Sequence, residues 1–292
     1  MPFEDAMGGV TADTCFPATG RHTGGMPASA TVGSLTTKTL DVLAAFTSAQ
    51  PRLSLSEVSR RTGLALTTAH RIVADLVAWG ALERTGAGDY ELGLKLWELA
   101  SVAPRGLPLR EIALPIMEDL YEATHENVQL AVRDHLDIVY LERLTGRNAV
   151  PVLTRVGGRF AMHATGVGLV LLAHAPAAVQ EEVLDGPLRR WTPHTVTDPA
   201  RVRAVLADVR RGDVAISDRQ VTDDAVSVAC PVRGADDSVV AALSVVFHAD
   251  GPVSAQAIAP ALRAASRTIS RLLGSPTARQ QPAGSRRRTG GS

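Results

Sequence analysis

From Leu35 the apolar positions recur at helical spacing in three successive segments. Leu35, Leu40, Leu43 and Phe46 share one side of a first helix, which Pro51 ends. Ser54-Leu55-Ser56-Glu57 carries the capping-box pattern and opens a short second helix that stops at Gly63. From Leu66 to Trp79, residues Ala69, Ile72, Val73, Leu76 and Val77 occupy the i, i+3, i+4, i+7, i+8 positions of one buried face, and Gly80 closes the helix. The stretch ALERTGAGDYELG then reads as two short strands around a Gly-rich turn. Helix, short helix, turn, helix and hairpin is the order of a winged helix-turn-helix.

Leu92–Ala103 continues at helical spacing through Leu92, Leu96 and Leu99, and Pro104, Gly106 and Pro108 break the chain before Leu109. Beyond the break the periods mix. Leu109–Glu122 reads as a helix with Ile112, Ile116 and Leu120 inside, interrupted by Pro115. Asn127–Arg133 and Ile138–Leu144 form a hairpin, and Val150–Val156 a third strand ended by Gly157-Gly158. Gly166–Ala175, Ala177–Leu184 and Pro199–Arg211 are helical. Val214–Val221, Val226–Val232 and Val239–Phe247 are strands, with Gly234–Asp237 as a turn, and Ser254–Leu273 is a closing helix. The predicted organisation is a flexible arm over 1–33, a winged helix-turn-helix over 34–95, a linker helix and hinge over 96–108, an α+β domain of antiparallel sheet flanked by helices over 109–274, and an unstructured tail over 275–292. The Arg286–Arg288 cluster reads as part of a solvated tail.

Composition removes several function classes. The 292 residues include 45% hydrophobic but only 4% aromatic side chains, which leaves little material for aromatic cages or base-stacking platforms. The two cysteines, Cys15 and Cys230, make neither a disulfide framework nor a zinc site. The histidines are scattered, and HExxH, P-loop and GxSxG motifs are absent, so no cofactor and no metal is expected. The start MPFEDAMGG lacks the features of a signal peptide, and the longest apolar runs, such as Val239–Phe247, fall far short of the roughly 20 residues that span a bilayer. A soluble cytoplasmic protein without a membrane partner is expected. Thirty basic and thirty acidic residues give a net charge of zero. Residues 34–95 hold seven basic side chains (Lys38, Arg52, Arg60, Arg61, Arg71, Arg84, Lys95) against six acidic ones (Asp41, Glu57, Asp75, Glu83, Asp89, Glu91), so that domain is only +1. If it binds DNA, a local face of Arg60, Arg61, His70, Arg71 and Arg84 has to do it.

The helical wheel supplies such a face. The third helix turns Thr67, Thr68, His70, Arg71 and Ala74 away from its apolar stripe, within the first turns that reach base edges when a recognition helix enters a major groove. Arg71 can donate two bonds to a guanine edge, Thr hydroxyls can bond a base or a phosphate, and Arg84 in the wing can reach the flanking backbone. A trihelical bundle with a hairpin can also serve dimerisation alone.

Gly63-Leu64-Ala65-Leu66-Thr67-Thr68-Ala69-His70-Arg71 resembles the recognition segment of the IclR family of bacterial transcriptional regulators, and Tyr90-Glu91-Leu92-Gly93-Leu94-Lys95-Leu96 resembles the end of its wing. The resemblance covers residues 34–274. It implies a DNA-binding regulator of a roughly palindromic operator, assembled through its linker helix as a homodimer or a dimer of dimers. It also implies a GAF-like C-terminal domain that binds a small-molecule effector, with an organic or aromatic carboxylate expected. Its effector wall corresponds here to Met162-His163-Ala164-Thr165-Gly166-Val167-Gly168, and two strands to Ser227–Val232 and Ala241–Val245. The implied effector-binding residues are Ala149, Val152, His163, Gly166, Val167, Asp218, Val228, Cys230 and Ser244. Departures are Leu66 in place of Lys or another polar residue, Leu169 in place of a Lys, Gln220 in place of a common Glu, and Asp224 at a common Gly. Two other readings compete: an enzyme with Cys230 as nucleophile and His163 as base, and an interaction module whose DNA-binding domain has decayed.

Overall fold

The computed structural model describes residues 34–47, 49–102, 106–146 and 149–280. The predicted arm, Cys15 and the Arg286–Arg288 cluster lie outside them. The chain divides between Trp97 and Glu98 into two units.

In the first unit, α1 (Leu35–Ala44), α2 (Leu55–Thr62) and α3 (Leu66–Trp79) enclose Val42, Phe46, Val58, Ala69, Ile72, Val73 and Leu76. The capping box forms as the sequence implies. Ser54 Oγ accepts from the Glu57 amide, and the Glu57 carboxylate accepts from the Ser54 amide at 2.8 Å. Those Ser54 bonds hold the Glu57 carboxyl below its ordinary pKa. Gly63 takes the left-handed conformation (φ +69°) that lets α2 turn into α3. Two details differ from the sequence reading. α1 ends at Ala44, well before Pro51, and its core contact comes from Val42 while Leu35 and Leu40 stay exposed. Arg52–Leu53 also form a short strand, β1, pairing with β3 (Tyr90–Leu92), which in turn pairs with β2 (Leu82–Arg84). The wing is therefore a three-stranded sheet in the order β1-β3-β2. Two residues are too few to show a period, so β1 had no signal. Helix α4 (Leu94–Ser101) follows; Leu92, expected in it, belongs to β3.

The second unit is built on a six-stranded antiparallel sheet in the order β6-β5-β4-β9-β8-β7. Its strands are β4 (Asn127–Asp134), β5 (Asp137–Leu144), β6 (Arg159–Ala161), β7 (Ala215–Asp218), β8 (Ala225–Arg233) and β9 (Val239–His248). Successive side chains on a strand point to opposite faces. One face carries Val128, Leu130 and Val132, then Val228, Cys230 and Val232, then Leu243, Val245 and Phe247. These pack under α5 (Leu107–Thr124) and α9 (Ala255–Leu272) with Ala113, Met117, Leu120, Leu262 and Ile269. The other face lies against α6 (Gly166–Ala173), every residue of which is buried. α8 (Pro199–Gly212) packs on α6, and α7 (Ala177–Asp185) lies beside both.

Three expectations need correction here. Val150–Val156 is not a strand. Leu153 and Val156 are exposed, and the segment is held instead by side chains of the sheet: Asn127 Nδ2 donates to the Val150 carbonyl and Gln129 Nε2 to Thr154 Oγ1. The edge strand is β6, three residues further on. β7 is shorter than Val214–Val221 because Arg219 takes a positive φ of 52° and ends the ladder. The tail does not begin at residue 275: Ser275 is buried, Pro276–Gln280 form a short helix, α10, and the hydroxyls of Ser275 just before it and Thr277 within it donate to the Asp237 carboxylate.

Two outcomes follow from this packing. Ser54→Ala removes one half of the capping box and should lower the stability of the first unit by about 0.5–2 kcal/mol in urea unfolding; an unchanged midpoint would mean that the cap is dispensable. Burial pushes the Cys230 thiol up to about 12. In a Cys15→Ser chain, Cys230 should therefore stay unreactive toward a disulfide probe at pH 8 until the protein is unfolded. Fast reaction of the native chain would contradict this placement.

Candidate DNA interface and effector face

Helix α3 presents its two sides as the wheel requires. Ala69, Ile72, Val73 and Leu76 are buried, whereas Thr67, His70, Arg71 and Ala74 are exposed and Thr68 is half-buried. The N-cap of α3 is Ala65, which supplies no side-chain bond; the Thr68 amide turns back to the Ala65 carbonyl at 2.9 Å, and the Leu66 and Thr67 amides at the helix start can serve an external acceptor such as phosphate. Leu66 at that start is 53% exposed, an apolar side chain standing in solvent beside the helix terminus. The cations of the unit are not equivalent. Arg61 donates to the Ala45 carbonyl at 2.7 Å, which ties α2 to the end of α1. Arg52 pairs with Glu91 across the wing sheet at 2.9 Å. Arg60, Arg71 and Arg84 are exposed, with no ion-pair partner among the described residues.

In the second unit the residues proposed for the effector separate into five groups. Gly166 and Val167 open α6 on the sheet face opposite α5 and α9, and Ser244 lies on that same face. A Cβ on Gly166 would sit 2.6 Å from Ser227 Oγ, so only Gly permits α6 to start this close to β8. Val228 and Cys230 do not join them: Cys230 pairs with Leu243, Val228 with Val245, and both point into the core under α5 and α9. Asp218 points to solvent at the end of β7, near Arg219, while its neighbour Ser217 turns inward and donates to the Ala164 carbonyl at 2.6 Å. Ala149 and Val152, both half-buried, belong to the loop over the start of β4 rather than to a strand.

His163 is buried, with its Nε2 2.9 Å from the Arg189 carbonyl and its ring 5.4 Å from that of Trp191, which itself stacks on Phe160. Burial lowers its pKa, so it is held neutral as an anchor for the 187–195 segment. His163 is thus engaged with Arg189 while Cys230 points into the core under α5 and α9, so the His163–Cys230 pair of the enzyme reading does not form among the described residues.

Sequence reasoning missed the polar row on the α6 side. Asn127 and Gln129 alternate with Val128 and Leu130 along β4, and both are buried. Gln129 stands directly opposite Ser244 of β9, and Asn127 opposite Val246. Tyr140 of β5 is also buried on this side, its phenol pushed well above the ordinary range by burial while it bonds Thr165. Thr165 caps α6 by accepting from the Gly168 amide at 3.0 Å. The period-2 alternation of Asn127 and Gln129 was the available signal; it was read only as a strand.

Comparison with known proteins agrees with both units. Residues 35–86 match the IclR helix-turn-helix domain, and residues 103–271 match the bacterial transcriptional regulator IclR C-terminal domain. The chain is 29% identical to the HTH-type transcriptional regulator KipR of Bacillus subtilis, over 67% of this chain and 79% of that protein. It is 28% identical to the Pca regulon regulatory protein of Pseudomonas putida, over 79% of this chain and 80% of that protein. Among solved structures, an IclR homolog complexed with 4-hydroxybenzoate from Microbacterium hydrocarbonoxydans is 39% identical with a TM-score of 0.78, covering 82% of this chain and 99% of that one. The Thermotoga maritima IclR shares the fold at 24% identity and a TM-score of 0.69, over 82% of this chain and 98% of that one. Two domain matches in order, covering most of the described residues, establish that the chain belongs to the IclR family of DNA-binding transcriptional regulators.

Proposed function

We propose that this regulator reads a roughly palindromic operator through α3, and that a small-molecule effector bound on the α6 side of the second unit changes its operator affinity. The observation that carries the DNA reading is the two-sided construction of α3. Its buried stripe fixes the helix in the bundle, and Thr67, Thr68, His70 and Arg71 stand on the opposite side beside an uncapped helix start. In this assignment Arg71 and the threonines meet base edges, and Arg60 and Arg84 meet phosphate. Arg61, tied to the Ala45 carbonyl, contributes chiefly by holding the helices in place.

With a net charge of only +1 over residues 34–95, one copy has little non-specific attraction for DNA. A pair of copies on two half-sites supplies the rest of the affinity. Exposed Leu94, Trp97, Leu99 and Val102, on and just after α4, support self-association as a homodimer. The protein acts in the cytoplasm, where its operator lies. The effector is an organic or aromatic carboxylate; the 4-hydroxybenzoate held by the Microbacterium hydrocarbonoxydans homolog supports this class. Effector binding shifts the operator-bound population by the difference in its affinity for the two states.

The test is fluorescence anisotropy of the full chain on the promoter of its own gene across a salt series. Arg71→Ala should weaken operator binding by about 1–3 kcal/mol while leaving binding to random DNA nearly unchanged. Loss of binding to both sequences alike would make Arg71 a phosphate contact, and unchanged binding would remove α3 from the interface.

A further inference from the structure

Two buried polar atoms on the α6 side of the sheet have no hydrogen-bond partner among the described residues: Asn127 Oδ1 and Ser244 Oγ. Both residues are essentially inaccessible, at 0% and 1% exposure. A buried polar group left unpaired is costly, so neither atom belongs there without a partner. The two are neighbours. Gln129 pairs with Ser244 and Asn127 with Val246, which places Asn127 and Ser244 on one face, one diagonal step apart. Such diagonal neighbours are about 7–8 Å apart between Cα atoms, and their side chains reach closer.

The orientation of the Asn127 amide is fixed. Its Nδ2 donates to the Val150 carbonyl at 2.8 Å, and flipping the amide would set oxygen against oxygen. Oδ1 is therefore an acceptor and demands a donor. Ser244 can donate or accept. A single hydroxyl oxygen satisfies both, donating its proton to Asn127 Oδ1 and accepting the Ser244 Oγ proton, with about 2.7 Å to each. A carboxylate or a phenolate set against Asn127 would place acceptor against acceptor. The loop that bonds Asn127 also bonds Gln129 through Thr154 Oγ1 at 2.7 Å, so the polar pair lies beneath the 150–154 segment.

We infer that Asn127 and Ser244 form a hydroxyl-selecting pair, so that the effector is a small molecule that presents a neutral phenol or alcohol to this end of the site. The inference rests on the effector reading above and adds to it the class of group recognised and Asn127 as the residue that sets it. For an aromatic hydroxy acid it orients the ring: the hydroxyl meets the sheet and the carboxylate faces away from it.

The experiment uses the full chain and three matched probe pairs: 4-hydroxybenzoate and benzoate, 4-hydroxyphenylacetate and phenylacetate, 3-hydroxybutyrate and butyrate. Calorimetric titration should find at least one hydroxylated member bound roughly five- to a hundredfold more tightly than its partner, the penalty for leaving a buried acceptor unpaired. Asn127→Leu should reduce that preference to about twofold or less. Because this change also releases Val150, Ser244→Ala provides a second arm that leaves the Val150 bond intact and should reduce the preference in part. The inference is overturned if no hydroxylated probe binds more tightly than its partner, or if both variants keep the preference; the two atoms then belong to a structural water site. Operator anisotropy with the same probes separates the two readings. Probes without a hydroxyl that bind as tightly as their hydroxylated partners and shift operator affinity leave the effector reading standing and remove only hydroxyl selection. Probes that bind without any effect on operator affinity remove the effector reading itself.

Discussion

The second unit depends on a sheet that is buried on both faces but not by the same chemistry. Under α5 and α9 the strands offer mainly apolar groups, with Val128, Leu130, Val228, Cys230, Leu243 and Val245 in a continuous cluster, and the buried Glu142 of β5 is paired there with Arg110 of α5. That face supplies the hydrophobic stabilisation. The α6 face holds Asn127, Gln129, Ser217, Tyr140 and Ser244, whose polar groups have to be satisfied inside the protein. Several are: Ser217 through Ala164, Tyr140 through Thr165, Gln129 through Thr154. The sheet thus divides apolar packing and polar chemistry between its two faces.

Much of the first unit could be read from residue order because its signals are local. The capping box at Ser54 and Glu57, the left-handed Gly63 and the stripe of α3 each depend on neighbours within a turn or two. What escaped is non-local or very short, such as the two-residue β1 and the burial of Val42 in place of Leu35 and Leu40. An apolar residue on a helix wheel is buried only if another element covers it, and the wheel does not record that.

The largest misreading in the second unit has a definite cause. The family resemblance sets Val228 and Cys230 together with Ser244 without fixing the register between their strands. The strands carry a β-bulge next to Val232 and Arg233, beyond which Cys230 meets Leu243 and Ala229 meets Ser244. One extra residue exchanges the faces of everything beyond it. Cys230 accordingly lies in the apolar core beneath α5 and α9, on the other face of the sheet from Ser244. The segment 150–156 was misread for a related reason. Its valines and leucine look strand-like, yet Asn127 and Gln129 bond it through side chains, an arrangement with no sequence period.

The decisive question is which face of the sheet meets the effector. Hydrogen exchange on the full chain, with and without saturating 4-hydroxybenzoate, addresses this directly. Slower exchange is expected in 127–131, 149–158 and 242–246, with α9 unaffected over 258–269. Protection confined to the 190–201 segment, or none on β4 and β9, would contradict it.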